Sequence, residues 1–541
     1  MSNQSTAPAI PASGRWIRIW PWLAVLLVLL LVGFIRVRLL ELPLERDEGE
    51  YAYAGQLILQ GIPPYELAYN MKLPGTYFAY AAGMSVFGET TSGIHLTLLA
   101  VNSLTCVFVF LLGRKLFGLT AGLVACASYA LLSVSSAVLG AAAHATQFVV
   151  LFAVPGTLLL WQALQTRKPQ TLFFCGLTYG LAFVMKQQGI CFGVFGFLVL
   201  LWRERGEPLG GSFKNISLYA AGTILPFAVI CLYLACAGVF PQFWFWTFSY
   251  ARTYAAGAPL GAGLEYLLSY LRNQFDIFFG FWILAGAGLV VALRKPALQK
   301  PLTFAMGFLF FSFLGTTPGL YFREHYFVLL LPAFALIVGM AVQFLQAGSA
   351  SIMKVAPVLL FAAVMGWGLW VQRWVFFQFP PPMLSQIIYR FNPFLETITA
   401  ARYIREHSNP SARIAVIGSE PQIYFYAHRH SATGFIYTYP LMENQPYATA
   451  MQQQMIAELE SVKPDYLVMV VNRYSWLLNE SSDLKIIGWS QKYMDDNYQR
   501  VGIVAYPLGH PPVEFWEEQA KAIPAGLQQY LAIYHRQPSA R

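Results

Sequence analysis

Apolar residues gather in long unbroken runs over the first 376 positions of the chain. The runs lie near 20–37, 93–113, 119–139, 145–165, 171–185, 189–202, 215–238, 274–293, 302–320, 326–346 and 355–376. A bilayer core needs roughly 17–25 apolar residues per helix. Most runs meet that length; 171–185 and 189–202 are the short ones. The pattern predicts a polytopic α-helical membrane protein with about eleven transmembrane helices. A transmembrane β-barrel is excluded, because its segments would alternate over about ten residues. The first run follows Arg15 and Arg18, is too long for a signal-peptide core, and lacks a small-x-small cleavage site. It reads as a signal anchor with a cytoplasmic N-terminus.

The pattern changes after Trp374, where Pro380, Pro381 and Pro382 mark a junction and residues 378–541 become polar. Segments 413–419 (RIAVIGS) and 466–471 (YLVMVV) read as buried strands, and 394–407 and 447–462 as helices. Strands alternating with helices predict a small α/β domain. It carries no glycine-rich phosphate loop and no evident catalytic set, so its expected role is scaffold or lid. The expected organisation is a membrane domain over 1–377, with a first outer loop at 41–92, and an extracytoplasmic α/β domain over 378–541.

Composition agrees with the pattern. The chain has 541 residues, 57% hydrophobic and only 11% charged, against about 25% charged in soluble proteins. The formal charge of +9 does not point to nucleic acid, since no basic stripe with interleaved aromatics occurs. Lys and Arg sit instead in alternate short loops: Arg114 and Lys115, Arg167 and Lys168, Arg203 and Arg205, Arg294 and Lys295, then Lys354. By the positive-inside bias these loops face the cytoplasm. The acidic loop 41–92 and the C-terminus then face outside. The six cysteines all lie in apolar runs and read as small buried hydrophobes.

The outer loop carries the candidate chemistry. Two helices, near 48–59 and 76–86, are too short to span and read as interfacial helices lying on the membrane. Asp47, Glu48 and Glu50 open the first. Asp47 suits an N-cap, with Glu50 completing a capping-box-like pair. It also suits a surface carboxylate acting as a general base. Lys72 precedes the Pro74-Gly75 bend and reads either as a snorkelling anchor or as a phosphate partner. Lys186, Arg252, Arg323 and His325 fall on the same outer face, against the positive-inside bias. Ionisable groups flanked by apolar spans are costly and mark function. Carboxylates, cations and aromatics on one outer surface fit a phosphorylated lipid, handled by an enzyme or a carrier.

The stretch RDEGEYAYAGQLILQGIPPYE, followed by NMKLPGTYFAYAAGMSVFG, resembles the first outer loop of GT-C glycosyltransferases. The nearest types are the bacterial protein O-mannosyltransferase-like and aminoarabinose-transferase-like enzymes of glycosyltransferase family 39. Weaker echoes are GRKLFG at 113–118, GLAFVMKQQG at 180–189, FWFWTFSYARTY at 243–254 and REHYFVLLLPAFAL at 323–336. The resemblance implies a GT-C fold in a bacterial inner membrane. It implies transfer of a sugar from a polyprenyl-phosphate donor to a glycan, lipid or protein acceptor on the outer face, with inversion. Asp47 matches the supposed general base, Glu48 its companion, and Lys72 the donor-phosphate lysine. Lys186, Arg252, Arg323 and His325 would join Lys72 at the phosphate. Tyr51, Tyr65, Asn70, His144, Gln147 and Tyr250 would line the substrate. Many relatives carry an acid near the outer end of the fourth span, where this chain has His144 and Gln147. No cofactor is therefore expected, a divalent metal being the open alternative. The rival readings are a transporter or flippase, which should show internal repeats, and a non-catalytic scaffold for lipid-linked sugars.

Overall fold

The computed structural model describes residues 12–166, 168–255, 259–347, 354–507 and 510–537. Arg167, one of the loop charges expected to face inward, lies outside the described residues. Each apolar run contains a helix. Nine helices cover the first half: α1 (Ala12–Arg38), α2 (Arg46–Leu59), α3 (Gly75–Phe87), α4 (Thr91–Phe117), α5 (Leu119–Leu132), α6 (Ala145–Thr166), α7 (Pro169–Met185), α8 (Ile190–Arg203) and α9 (Leu209–Cys236). Helices Leu260–Leu293, Gln299–Leu314, Leu331–Ala347 and Ala356–Val371 complete the bundle. Among the described residues, seven helical stretches of 19–34 residues are long and apolar enough to cross a membrane. Four more are apolar but shorter: Leu119–Leu132, Pro169–Met185, Gln187–Arg203 and Ala356–Val371. Outward-facing Leu27, Leu30 and Phe34 on α1, and Leu209 and Phe213 on α9, stay exposed in the isolated chain, as lipid-facing side chains should. The chain is a multi-pass membrane protein.

Two helices depart from the apolar pattern. The run 119–139 leaves helix at Leu132. The next residues, SVSS, form a turn fastened by a buried arginine of α1. Arg36 donates to the carbonyls of Ser133 (3.2 Å) and Gly140 (3.1 Å) and to Asn102 Oδ1 (3.3 Å). Polar residues at 133–136 let the backbone bond to side chains instead of its own ladder. The run 274–293 extends back to Leu260, with non-helical backbone at Phe278.

The C-terminal part holds a six-stranded sheet of order β2-β1-β3-β6-β4-β5. Its strands are β1 (Arg413–Ile417), β2 (His430–Ser431), β3 (Tyr466–Val471), β4 (Tyr498–Ala505), β5 (Val513–Trp516) and β6 (Tyr530–Arg536). β1 pairs in parallel with β2 and β3, while β6 and β4 run antiparallel. Helices Phe394–His407 and Ala448–Val462 accompany it. The first two predicted strands and both helices stand where the pattern put them. The later strands carry fewer apolar residues and were not anticipated.

The interfacial reading is corrected for α2. Residues 48–57 of α2 are buried. One side of the helix packs on α3, and the other on the C-terminal helix Gln422–Ala427. A Cβ on Gly49 would lie 2.6 Å from Gln422 Cβ, so only glycine lets the two helices meet this closely. Two covering layers, not a membrane surface, receive the two faces of α2.

Candidate functional site

The first turn of α2 sets the site. Glu45, not Asp47, is the N-cap: its side chain accepts from Glu48 N, and the Glu48 side chain accepts from Glu45 N. The expected Asp47–Glu50 cap is thus replaced by a capping box two residues earlier, Glu45 with Glu48. That frees Asp47 and Glu50, one turn apart on the helix, to face a common partner.

The partner is Lys72. Its Nζ lies 2.7 Å from Asp47 Oδ1 and 2.7 Å from Glu50 Oε2. The Tyr77 hydroxyl donates to the other Glu50 oxygen. The Tyr51 ring sits 4.6 Å from the same ammonium, and Tyr65 Oη donates to Lys72 O (2.7 Å). Asp47 keeps 25% of its side chain exposed and Glu50 1%; only Asp47 can meet an incoming substrate. Burial pushes the Asp47 carboxyl up, but Lys72, His325 and His144 outweigh it and hold the group well below the usual carboxylate range. Burial raises Glu50 against the pull of Lys72.

Lys186 reaches the site through α3 and α7. Thr76 Oγ1 donates to Met185 O (2.8 Å) and Gln187 Nε2 to Met71 O (2.6 Å). A Cβ on Gly75 would meet Val184 O at 2.4 Å, so the bend at Pro74-Gly75 docks directly on the end of α7. These ties bring Lys72 and Lys186 into one cluster. Lys186 Nζ lies 4.2 Å from the Tyr326 ring. Burial pushes its ammonium down to about 7, with Lys72 adding to the fall while Asp47 opposes it.

The histidines complete the cluster. His144 and His325 stack with ring centroids 4.2 Å apart. Thr146 Oγ1 donates to His325 O (2.8 Å), fixing that backbone to the start of α6. Burial pushes His144 down to about 4, so it is neutral at physiological pH. Both of its ring nitrogens are buried without a hydrogen-bond partner among the described residues; Nδ1 is 3.5 Å from Glu45 Oε1. Asp47, His144 and His325 each offer one ligand atom, all within 4.8 Å of one another. Imidazole and carboxylate donors suit a borderline divalent cation, and the orphaned His144 nitrogens fit one.

Glu48 stands apart from Lys72. It is fully buried, with Oε1 accepting from Ala143 N (2.6 Å) and lying 3.2 Å from His95 Nε2. Tyr80 Oη donates to Ala143 O (2.7 Å). The Ala143 peptide is thus gripped from both sides, next to His144. Glu48 positions that loop; the second carboxylate at Lys72 is Glu50, which the sequence reading used only as a capping partner.

Other expected residues make different contacts. Arg252 is exposed on Ala251–Ala255 and, among the described residues, forms no hydrogen bond or ion pair with Asp47, Lys72 or Lys186. Arg323 is exposed over the Tyr321 ring. Tyr250 Oη donates to Glu443 Oε2 (2.6 Å) in the C-terminal part. Asn70 Oδ1 accepts from Met71 N, a local turn contact. Gln147 Nε2 approaches Ser133 O at 3.5 Å, the carbonyl that also accepts from Arg36. Tyr437, unanticipated, places its ring 5.9 Å from Lys72 Nζ.

An apolar helical bundle, a buried first long loop with its acid and lysine, and an appended mixed sheet make up a GT-C-type fold. Comparisons with known proteins agree. A family model described as dolichyl-phosphate-mannose-protein mannosyltransferase matches residues 72–235, which hold Lys72, His144 and Lys186 but not Asp47. The undecaprenyl phosphate-alpha-4-amino-4-deoxy-L-arabinose arabinosyl transferase of Pseudomonas aeruginosa (strain LESB58) is 28% identical over 222 residues, 37% of this chain. That match spans 38% of the curated relative's length. ArnT from Cupriavidus metallidurans bound to undecaprenyl phosphate is similar in structure, with TM-score 0.59 and 13% identity over 97% of this chain and 98% of that one. Archaeal oligosaccharyltransferase AglB from Archaeoglobus fulgidus, in complex with an inhibitory peptide and a dolichol-phosphate, gives 0.53 and 14% over 97% and 77%. At these identities the structural likeness is one of fold.

Proposed function

We propose that the protein is a membrane glycosyltransferase that moves a sugar from a polyprenyl-phosphate donor to an acceptor hydroxyl of an envelope glycan, lipid or protein. The observation that carries this reading is the Asp47–Lys72 pair clustered with Lys186, His144 and His325. The acceptor oxygen attacks the anomeric carbon as the bond to the phosphate oxygen breaks. The bonding pair leaves with the polyprenyl phosphate, and the acceptor proton passes to Asp47. Lys72 and Lys186 offset the charge growing on the leaving phosphate. A carboxylate bonded to Lys72 is a poor base. Donor phosphate competes for that ammonium, so donor binding loosens the ion pair and makes Asp47 more basic. The chemistry needs no resident cofactor; a divalent ion on Asp47, His144 and His325 would supply Lewis-acid charge at the phosphate. The membrane is the bacterial inner membrane, with the N-terminus cytoplasmic and the C-terminal domain outside. A carrier fits less well, because Asp47 keeps an exposed face beside the phosphate cations.

The test uses purified protein, labelled polyprenyl-phosphate sugars and envelope extract, with and without a chelator. Wild type should transfer label. Asp47→Asn should lose about 10²–10⁴-fold in rate while still binding donor. Equal rates in both proteins would remove Asp47 as the base. Rates lost on chelation and restored by one metal would assign the histidine pair to that ion.

A further inference from the structure

The C-terminal domain reaches the catalytic turn through one ion pair. Arg46 immediately precedes Asp47. Its Nη2 lies 2.6 Å from Glu420 Oε1, its Nη1 donates to Asn392 Oδ1 (3.1 Å), and its Nε donates to Ser419 O. The guanidinium also lies over the Phe394 and Tyr439 rings, at 5.6 and 5.3 Å. Glu420 is wholly buried, and its second oxygen accepts from Ser419 N (2.8 Å) and Ser475 Oγ (2.5 Å). A buried charge pair this fully hydrogen-bonded holds one geometry and is costly to break. Lesser ties follow along the loop. Leu44 N donates to Tyr426 Oη (2.9 Å), Tyr437 Oη to Arg46 O (3.0 Å), Ser431 N to Tyr53 Oη (2.7 Å), and Tyr69 N to Gly434 O (2.6 Å).

We propose that Glu420 is a positioning residue: through Arg46 it fixes the first turn of α2, and so aims the Asp47 carboxylate. The C-terminal domain is then part of the site's frame, not a lid over it. This rests on the reading of Asp47 as the base. Misplacement of a reacting group by 1 Å is enough to cost about 10²-fold in rate. Lys72, on the loop whose bend at Gly75 docks on α7, would keep its donor affinity.

The experiment compares full-length wild type, Glu420→Gln and Glu420→Asp. Two quantities are read: amide hydrogen exchange and steady-state transfer. In Glu420→Gln, amides 46–50 should exchange about ten-fold faster, with Thr91–Phe117 and Ala145–Thr166 unchanged. Its kcat should fall about ten-fold or more at unchanged donor KM, and Glu420→Asp should recover most of both. Unchanged exchange at 46–50, or loosening spread evenly over the whole chain, would overturn the proposal. Wild type that transfers nothing would sink the functional reading alone, because the exchange arm reads the clamp without turnover.

Discussion

At the residue scale, protonation divides the labour among the cations. Lys72 is pinned between two carboxylates, which together outweigh the burial that disfavours its charge and raise it well above the ordinary lysine range. It stays charged throughout the working pH range. Lys186 has no such pair among the described residues, and burial lowers it to about 7. As pH rises through that value, the free protein loses one phosphate cation. Donor KM should therefore rise above pH 7 while kcat changes little, and Lys186→Arg should flatten that limb, since guanidinium stays charged. The same alkaline limb in Lys186→Arg would assign it elsewhere. Asp47, held ionised, should contribute no acid limb down to about pH 5. Asp47 and Lys72 were legible because they belong to a contiguous motif. Glu50 was misassigned because the true N-cap, Glu45, is a residue type that rarely caps. Glu420 was not legible: its role depends on a contact 374 positions away, and nothing in SEPQ announces it.

At the scale of elements, the site hangs on close approaches between backbones. The α3–α7 docking at Gly75 holds Lys72 beside Lys186. Gly75→Ala should destabilise the protein by about 1–3 kcal/mol through overpacking, read as a lower thermal-inactivation temperature in detergent. It should also weaken donor affinity more than kcat. Full affinity with lowered stability would separate the docking from phosphate binding. Helix positions were legible because apolar runs of membrane length leave few alternatives. The break at Leu132 was not, because it depends on Arg36 supplying donors from another helix. The burial of α2 was misread for a related reason: a helix with two polar-and-aromatic faces looks amphipathic until both covering layers are present.

At the scale of the molecule, the two parts share α2, and the orientation is testable. Single cysteines placed at Glu480 in the C-terminal part and at Lys115 after α4 should label differently in intact cells. A membrane-impermeant maleimide should reach Glu480→Cys once the outer wall is permeabilised, and Lys115→Cys only after lysis. The opposite pattern would invert the topology. The α/β character of the C-terminal part was legible from two apolar strands. Its sheet order was not, since β6 inserts between β3 and β4, a pairing set by register rather than by local pattern.

The Arg46–Glu420 pair also bears on time. Arg46 leaves the ribosome 374 residues before its partner. At about 5–20 residues per second, the interval is roughly 20–75 s. During that interval the nascent bundle already exposes Asp47 and Lys72 without the brace that aligns them. On the proposed function, a half-made chain should transfer sugar about ten-fold or more slowly, and full competence should arrive only with the last quarter of synthesis.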